Sequence, residues 1–182
     1  MIVAKNERAF VLTGAPGVGK TCLLEELRRR SFNCVLEPAR IVLAEQRAQL
    51  GAAVPEKDSK SFCDLLLERS IQDYRLSVNS KMTTIFDRGV PDNVAYASGF
   101  GLDLTPFNVA SASYIYNEKV FLLSPWDEIY ETDDERKMNF RQVCEFHKLI
   151  CNIYRKLSYK LIDVPRAPVE ERANFIEKNL SN

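Results

Sequence analysis

Thr13-Gly14-Ala15-Pro16-Gly17-Val18-Gly19-Lys20-Thr21 is the stretch on which the reading of the whole chain turns. The apolar run Ala9-Phe10-Val11-Leu12 precedes it and a helix-like segment from Cys22 to Arg30 follows, so a Gly-rich turn joins a buried strand to a helix N-terminus. Gly14, Gly19, Lys20 and Thr21 stand at the defining positions of a phosphate-binding P-loop. Main-chain N–H groups wrap a polyphosphate only where the loop takes conformations that Gly17 and Gly19 tolerate, and the helix start adds partial positive charge. The candidate phosphate-binding residues are Gly14, Ala15, Pro16, Gly17, Val18, Gly19, Lys20, Thr21 and Cys22. In that pattern Lys20 reaches the outer phosphates and the Thr21 hydroxyl sits on a magnesium ion. A connector that merely turns the chain is the bland alternative, and the strand before and the helix after both weigh against it.

A chain of 182 residues, 46% hydrophobic and 27% charged, fits one folded domain, expected over residues 1–182. With 25 Lys+Arg against 25 Asp+Glu the formal net charge is +0, which gives no general attraction to nucleic acid or to an anionic membrane. Any phosphate-binding surface is therefore local. The five cysteines, Cys22, Cys34, Cys63, Cys144 and Cys151, form no paired zinc spacing, and an odd count without a secretory signal suggests reduced thiols and a cytoplasmic location. Lys5, Glu7 and Arg8 stand where a signal would need an apolar core, and no later run spans a bilayer, so membrane insertion is not expected.

Strands are expected at Ala9 to Leu12, Phe32 to Leu36, Met82 to Phe86, Lys119 to Leu123 and Tyr159 to Val164. Helical patterns cover Ala39 to Leu50 with Gly51 as a stop, Lys60 to Asn79 capped by Asp58 or Ser59, Pro91 to Tyr96, Thr105 to Tyr114, Asn139 to Leu157 and Val169 to Leu180. Strands alternating with helices make a parallel sheet with right-handed crossovers the economical α/β architecture. The carboxyl ends of such strands share one edge, where ligands bind. The P-loop, Glu37-Pro38, Asp87-Arg88-Gly89, Ser124-Pro125-Trp126 and Pro165-Arg166 are thus expected around one crevice.

Each of those loop tips carries a candidate. Asp87 ends the apolar run Thr84-Ile85-Phe86, as a carboxylate that holds magnesium directly or through water should, with a turn or helix-capping Asp as the alternative. Arg88 grips an acceptor or a transferring phosphoryl group, or else forms a structural salt bridge. Glu37 accepts the proton of an attacking hydroxyl, or else pairs with Arg40. The charged run Glu131 to Lys137 reads as a lid over residues 127–141 that brings Arg136 or Arg141 to the transition state, or as a solvated face. The only histidine, His147, reads as structural, between Phe146 and Leu149 in a helical stretch.

Gly14 to Thr21, Glu37-Pro38-Ala39-Arg40, Phe86-Asp87-Arg88-Gly89 with Asp92 and Tyr96, Trp126 to Lys137, and Tyr159 to Val164 with Glu170-Glu171-Arg172 together resemble the NadR-type AAA domain family of P-loop ATPases. This family is similar to nucleoside and nucleotide kinases, and the match runs over nearly the whole chain. The resemblance implies a three-layer P-loop NTPase fold with a five-stranded parallel sheet in kinase-like order 2-3-1-4-5, helices on both faces, and ATP as donor. It implies that Glu37 meets the acceptor hydroxyl, that Asp87-Arg88 follows the third strand, that Arg136 and Arg141 serve the lid, and that Pro165 and Arg166 border adenine.

The function expected is a magnesium-dependent phosphotransferase acting on ATP and an unidentified small hydroxyl-bearing, nucleoside-like acceptor. An ATPase or a nucleotide-dependent regulator with a protein partner is the alternative. GTP is a poorer match than ATP, because Asn117-Glu118-Lys119-Val120 lacks the N-K-x-D pattern. A ring-forming motor ranks low in a chain with no room for a helical lid domain after the last strand.

Overall fold

The computed structural model describes residues 4–129 and 138–180. Every residue of strand β1 (Ala9–Gly14) is buried, because helices cover both faces of the sheet it centres. Alternation along it separates two cores. Ala9 and Val11 enter one apolar cluster, while Phe10 and Leu12 enter the other.

The remaining strands are β2 (Asn33–Val35), β3 (Thr84–Asp87), β4 (Lys119–Leu123) and β5 (Lys160–Asp163). All pair in parallel in the order β2-β3-β1-β4-β5, the expected 2-3-1-4-5 arrangement. A separate two-residue parallel pair, Ala4–Lys5 with Tyr114–Ile115, lies outside this sheet and has too little pattern to be read in advance.

Helices α1 (Lys20–Arg29) and α7 (Val169–Leu180) cover one face through Leu23, Leu24, Leu27, Ala173 and Ile176. The other face carries α3 (Ser59–Val78), α4 (Asp92–Gly99), α5 (Thr105–Ser113) and α6 (Phe140–Lys156), with Ala39 and Val42 of α2 (Pro38–Ala48) in the same cluster. Caps explain several boundaries. The Asp58 carboxylate accepts from the Ser61 N–H, and Asn139 with Gln142 forms a reciprocal capping box. Helix α1 begins two residues earlier than its apolar pattern, since Gly19 in a left-handed conformation already directs Lys20 and Thr21 into the first turn.

Helix α2 ends sooner than expected. Leu50 N donates to Arg47 O at 3.3 Å and Gly51 N to Gln46 O at 2.8 Å, a Schellman closure in which Leu50, not Gly51, takes the left-handed φ of 55°. Of the expected lid over 127–141, the structure describes a single 3₁₀ turn at Asp127–Ile129 and the start of α6; Arg136 lies outside the described residues. No helix among the described residues is long and apolar enough to cross a membrane, and all five cysteines are free.

Candidate nucleotide site

Parallel register brings the site together. Leu12 pairs with Asp87 and Val35 with Phe86, so the P-loop, the Leu36-Glu37 tip and Asp87-Arg88 leave the sheet at one edge. Gly17 and Gly19 adopt φ of 79° and 81°, as the wrapped loop requires. Thr21, Glu37 and Asp87, three residues far apart in sequence, line one crevice of about 460 Å³ between α1 and α2, together with Leu24, Arg28, Arg40 and Ile41.

Lys20 is almost fully buried and donates to Gly14 O at 3.3 Å and Ala15 O at 3.0 Å. Burial and the nearby Arg88 charge lower its pKa to about 8, against the opposing pull of Asp87, Glu37 and Asp92. A phosphate chain on the loop amides would supply the negative charge that this ammonium lacks.

Arg88 is the hub. It is a non-glycine residue at φ 72°, held there by its side chain. Nε donates to Glu37 Oε1 at 2.7 Å; Nη1 donates to Gly14 O at 3.0 Å and to Asp92 Oδ1 at 3.2 Å. The guanidinium also lies 5.6 Å from the Tyr96 ring centre and 6.0 Å from that of Phe146. The structural alternatives for Glu37 and Arg88 are thus both present, since Glu37 pairs with Arg88 and its Oε2 accepts from Arg40 Nε at 3.3 Å as well.

Burial alone would raise the Glu37 pKa. The Arg88 and Lys20 charges, with hydrogen bonds from Arg88 and from Tyr96 OH at 3.0 Å, instead hold it down to about 2. A carboxylate that acidic is a weak proton acceptor and a firm hydrogen-bond acceptor. Asp87 goes the other way. Burial, with Glu37 nearby, raises its pKa to about 6 against the pull of Lys20 and Arg88.

Asp87 Oδ1 is buried and accepts no hydrogen bond, a costly arrangement for a carboxylate with nothing to bind. Among the described residues no group of three or more His, Cys, Asp or Glu side chains is placed to hold a metal ion. Thr21 and Asp87 therefore fit an ion held largely by phosphate oxygens and water, as magnesium commonly is.

Asp92 does more than open α4. Its Oδ1 accepts from Thr13 Oγ1 at 2.6 Å and from Arg88; its Oδ2 accepts from Gly89 N at 2.9 Å and Tyr154 OH at 2.5 Å. The Arg88–Asp92 spacing of four residues is a signal visible in sequence. Tyr154 offers none, because it arrives from α6.

The other candidates do not line that crevice. The Arg141 side chain is 89% exposed and pairs with Glu145 on its own helix at 3.2 Å. Arg166 donates to Pro125 O at 2.6 Å, tying the loops after β4 and β5 together, with Pro165 exposed beside it. Cys22 is exposed on α1 next to Thr21. His147 Nε2 lies 3.6 Å from Cys151 Sγ one turn away, and burial lowers its pKa.

Residues 9–172 match the AAA domain family. No curated protein matches the chain. Among solved structures, a NadR protein in complex with NR is similar with a TM-score of 0.70 at 18% identity, over 96% of this chain and 52% of that one. The chain thus spans about half the length of that protein. A thymidylate kinase from Ehrlichia chaffeensis gives 0.64 at 18% identity, over 94% of this chain and 97% of that chain. A deoxyadenosine kinase from M. mycoides gives 0.62 at 13% identity, over 95% of this chain and 98% of that chain. Identities this low speak to fold. With the family match running from the first residue of β1 into the first turn of α7, the chain belongs to the AAA domain family, and it shares its fold with the NadR protein and the two kinases.

Proposed function

We propose that this protein is an ATP- and magnesium-dependent phosphotransferase acting on a small acceptor that presents a hydroxyl. The observation that carries the reading is the shared crevice of Thr21, Glu37 and Asp87, with the buried Asp87 Oδ1 left without a hydrogen-bond donor. The similarity of fold to a thymidylate kinase and a deoxyadenosine kinase supports it.

The P-loop amides and Lys20 would hold the phosphates, with Lys20 moving from the Gly14 and Ala15 carbonyls to phosphate oxygens. Thr21 and Asp87 would hold magnesium, which when bound neutralises charge on the phosphate oxygens. Glu37 would accept a hydrogen bond from the acceptor hydroxyl and aim its oxygen at the terminal phosphorus. A bond then forms from that oxygen to phosphorus, and the bond from phosphorus to the bridging oxygen breaks, releasing ADP. In a loose transition state the hydroxyl proton leaves late, onto an oxygen of the transferred phosphoryl group, so a carboxylate with a pKa of about 2 serves as an orienting group.

Incubation with magnesium ATP and a panel of nucleosides and related alcohols, followed by mass, tests this. A product heavier by one phosphoryl group supports it, and Glu37→Gln should then cut turnover steeply. ATP binding with slow hydrolysis and no phosphorylated product from any acceptor would favour the nucleotide-dependent regulator instead.

A further inference from the structure

Arg172 is in the first turn of α7, and nothing in the P-loop pattern assigns it a part. Its residue is only 8% exposed, and its Nε is buried without a hydrogen-bond partner. The guanidinium brings its Nη1 edge against the loop: a Cβ built on Gly19 would stand 2.9 Å from Nη1, 3.6 Å from Nη2 and 3.7 Å from Cζ. It is also near enough to Cys22 to feel that thiol electrostatically.

A neighbouring arginine shows what a purely structural role looks like here. Arg30 also bridges α1 to α7, and its donors are taken up by Glu26, Glu177 and Asn174. Leu27, Ala173 and Ile176 pack in the same apolar cluster between the two helices. The junction is thus closed without Arg172, which forms no ion pair among the described residues. A guanidinium whose Nε is buried without a partner is unfavourable unless an anion completes it, and its planar fork matches phosphate oxygens.

We propose that Arg172 is a donor-nucleotide residue whose guanidinium, laid against Gly19 at the start of α1, grips the α-phosphate of the bound nucleotide. This rests on the reading of the P-loop as a nucleotide site. Lys20 serves the outer phosphates, while the Gly19-to-Cys22 turn serves the inner ones, and Arg172 stands at that turn. Its position on α7 makes the last helix part of the site, in addition to the loop that follows β5.

Calorimetric titration of magnesium ATP and magnesium ADP into the full chain tests the proposal, alongside thermal melts without nucleotide. The parent should bind both. Arg172→Met should weaken both by a similar factor, about tenfold or more, with no fall in melting temperature. Arg172→Lys, which keeps the charge but loses the fork, should recover part of the affinity and guards against misfolding of the methionine variant. Unchanged affinities in Arg172→Met would overturn the proposal, and so would a lowered melting temperature with unchanged affinities. A loss confined to ATP would place the guanidinium on the outer phosphate and overturn the α-phosphate assignment. Failure of the parent to bind either nucleotide would sink the nucleotide-site reading itself, a result distinguishable from all of these.

Discussion

Asp87 and Lys20 are each held in the charge state that burial makes expensive. Burial raises the Asp87 pKa from 3.8 to about 6, so its ionised form is disfavoured in the fold. Its contribution to stability is fully present below about pH 4 and is lost as pH rises through 6. Asp87→Asn should therefore stabilise the protein at pH 7.5 by on the order of 1–3 kcal/mol in chelator-treated buffer, and by much less at pH 4.5. Urea denaturation at the two pH values checks this, and the same variant should lose magnesium-dependent turnover. Lys20 gives a separate signature. Its pKa of about 8 should rise when phosphates arrive, so ATP binding takes up protons above pH 8 and weakens as pH increases from 8 to 9. Titration at pH 8.5 in two buffers of different ionisation enthalpy reads that uptake directly.

Helix ends show where local chemistry and tertiary packing part company. Leu50 is 90% exposed, contributes nothing to either core, and sits in the left-handed conformation that closes α2. A side chain in that region costs about 1 kcal/mol or more relative to glycine, partly offset by the greater freedom of glycine in the unfolded chain. Leu50→Gly should raise stability by about 0.5–1 kcal/mol, measured by urea denaturation, with no change in ATP affinity. A loss of stability would show that the exposed leucine makes a contact that matters. The start of α1 follows the opposite logic. Its first turn is set by Gly19 and by the phosphate loop rather than by apolar spacing, and the apolar pattern alone therefore places its start two residues late.

At the scale of the molecule, the sheet was legible because buried parallel strands read as apolar runs, and because their shared polarity sends every carboxyl end to one edge. Lys119–Leu123 and Val169–Leu180 have the bounds that their patterns suggest. That Thr21, Glu37 and Asp87 share a crevice was likewise implied by topology. What the chain conceals is the lateral wiring of the site. Thr13 to Asp92 spans 79 residues and Tyr154 to Asp92 spans 62, and no periodicity connects them. Arg172 at Gly19 is of the same kind, a contact made by packing α7 on α1.

A nucleoside triphosphate is expected to rest on the main-chain N–H groups of the loop between Gly14 and Cys22, with Lys20 on its outer phosphates. Calorimetric titration of magnesium ATP into the parent and into Lys20→Ala tests it most directly. The parent should bind saturably, one to one, and the variant with an affinity weaker by about tenfold or more. Equal dissociation constants for the two proteins would contradict it.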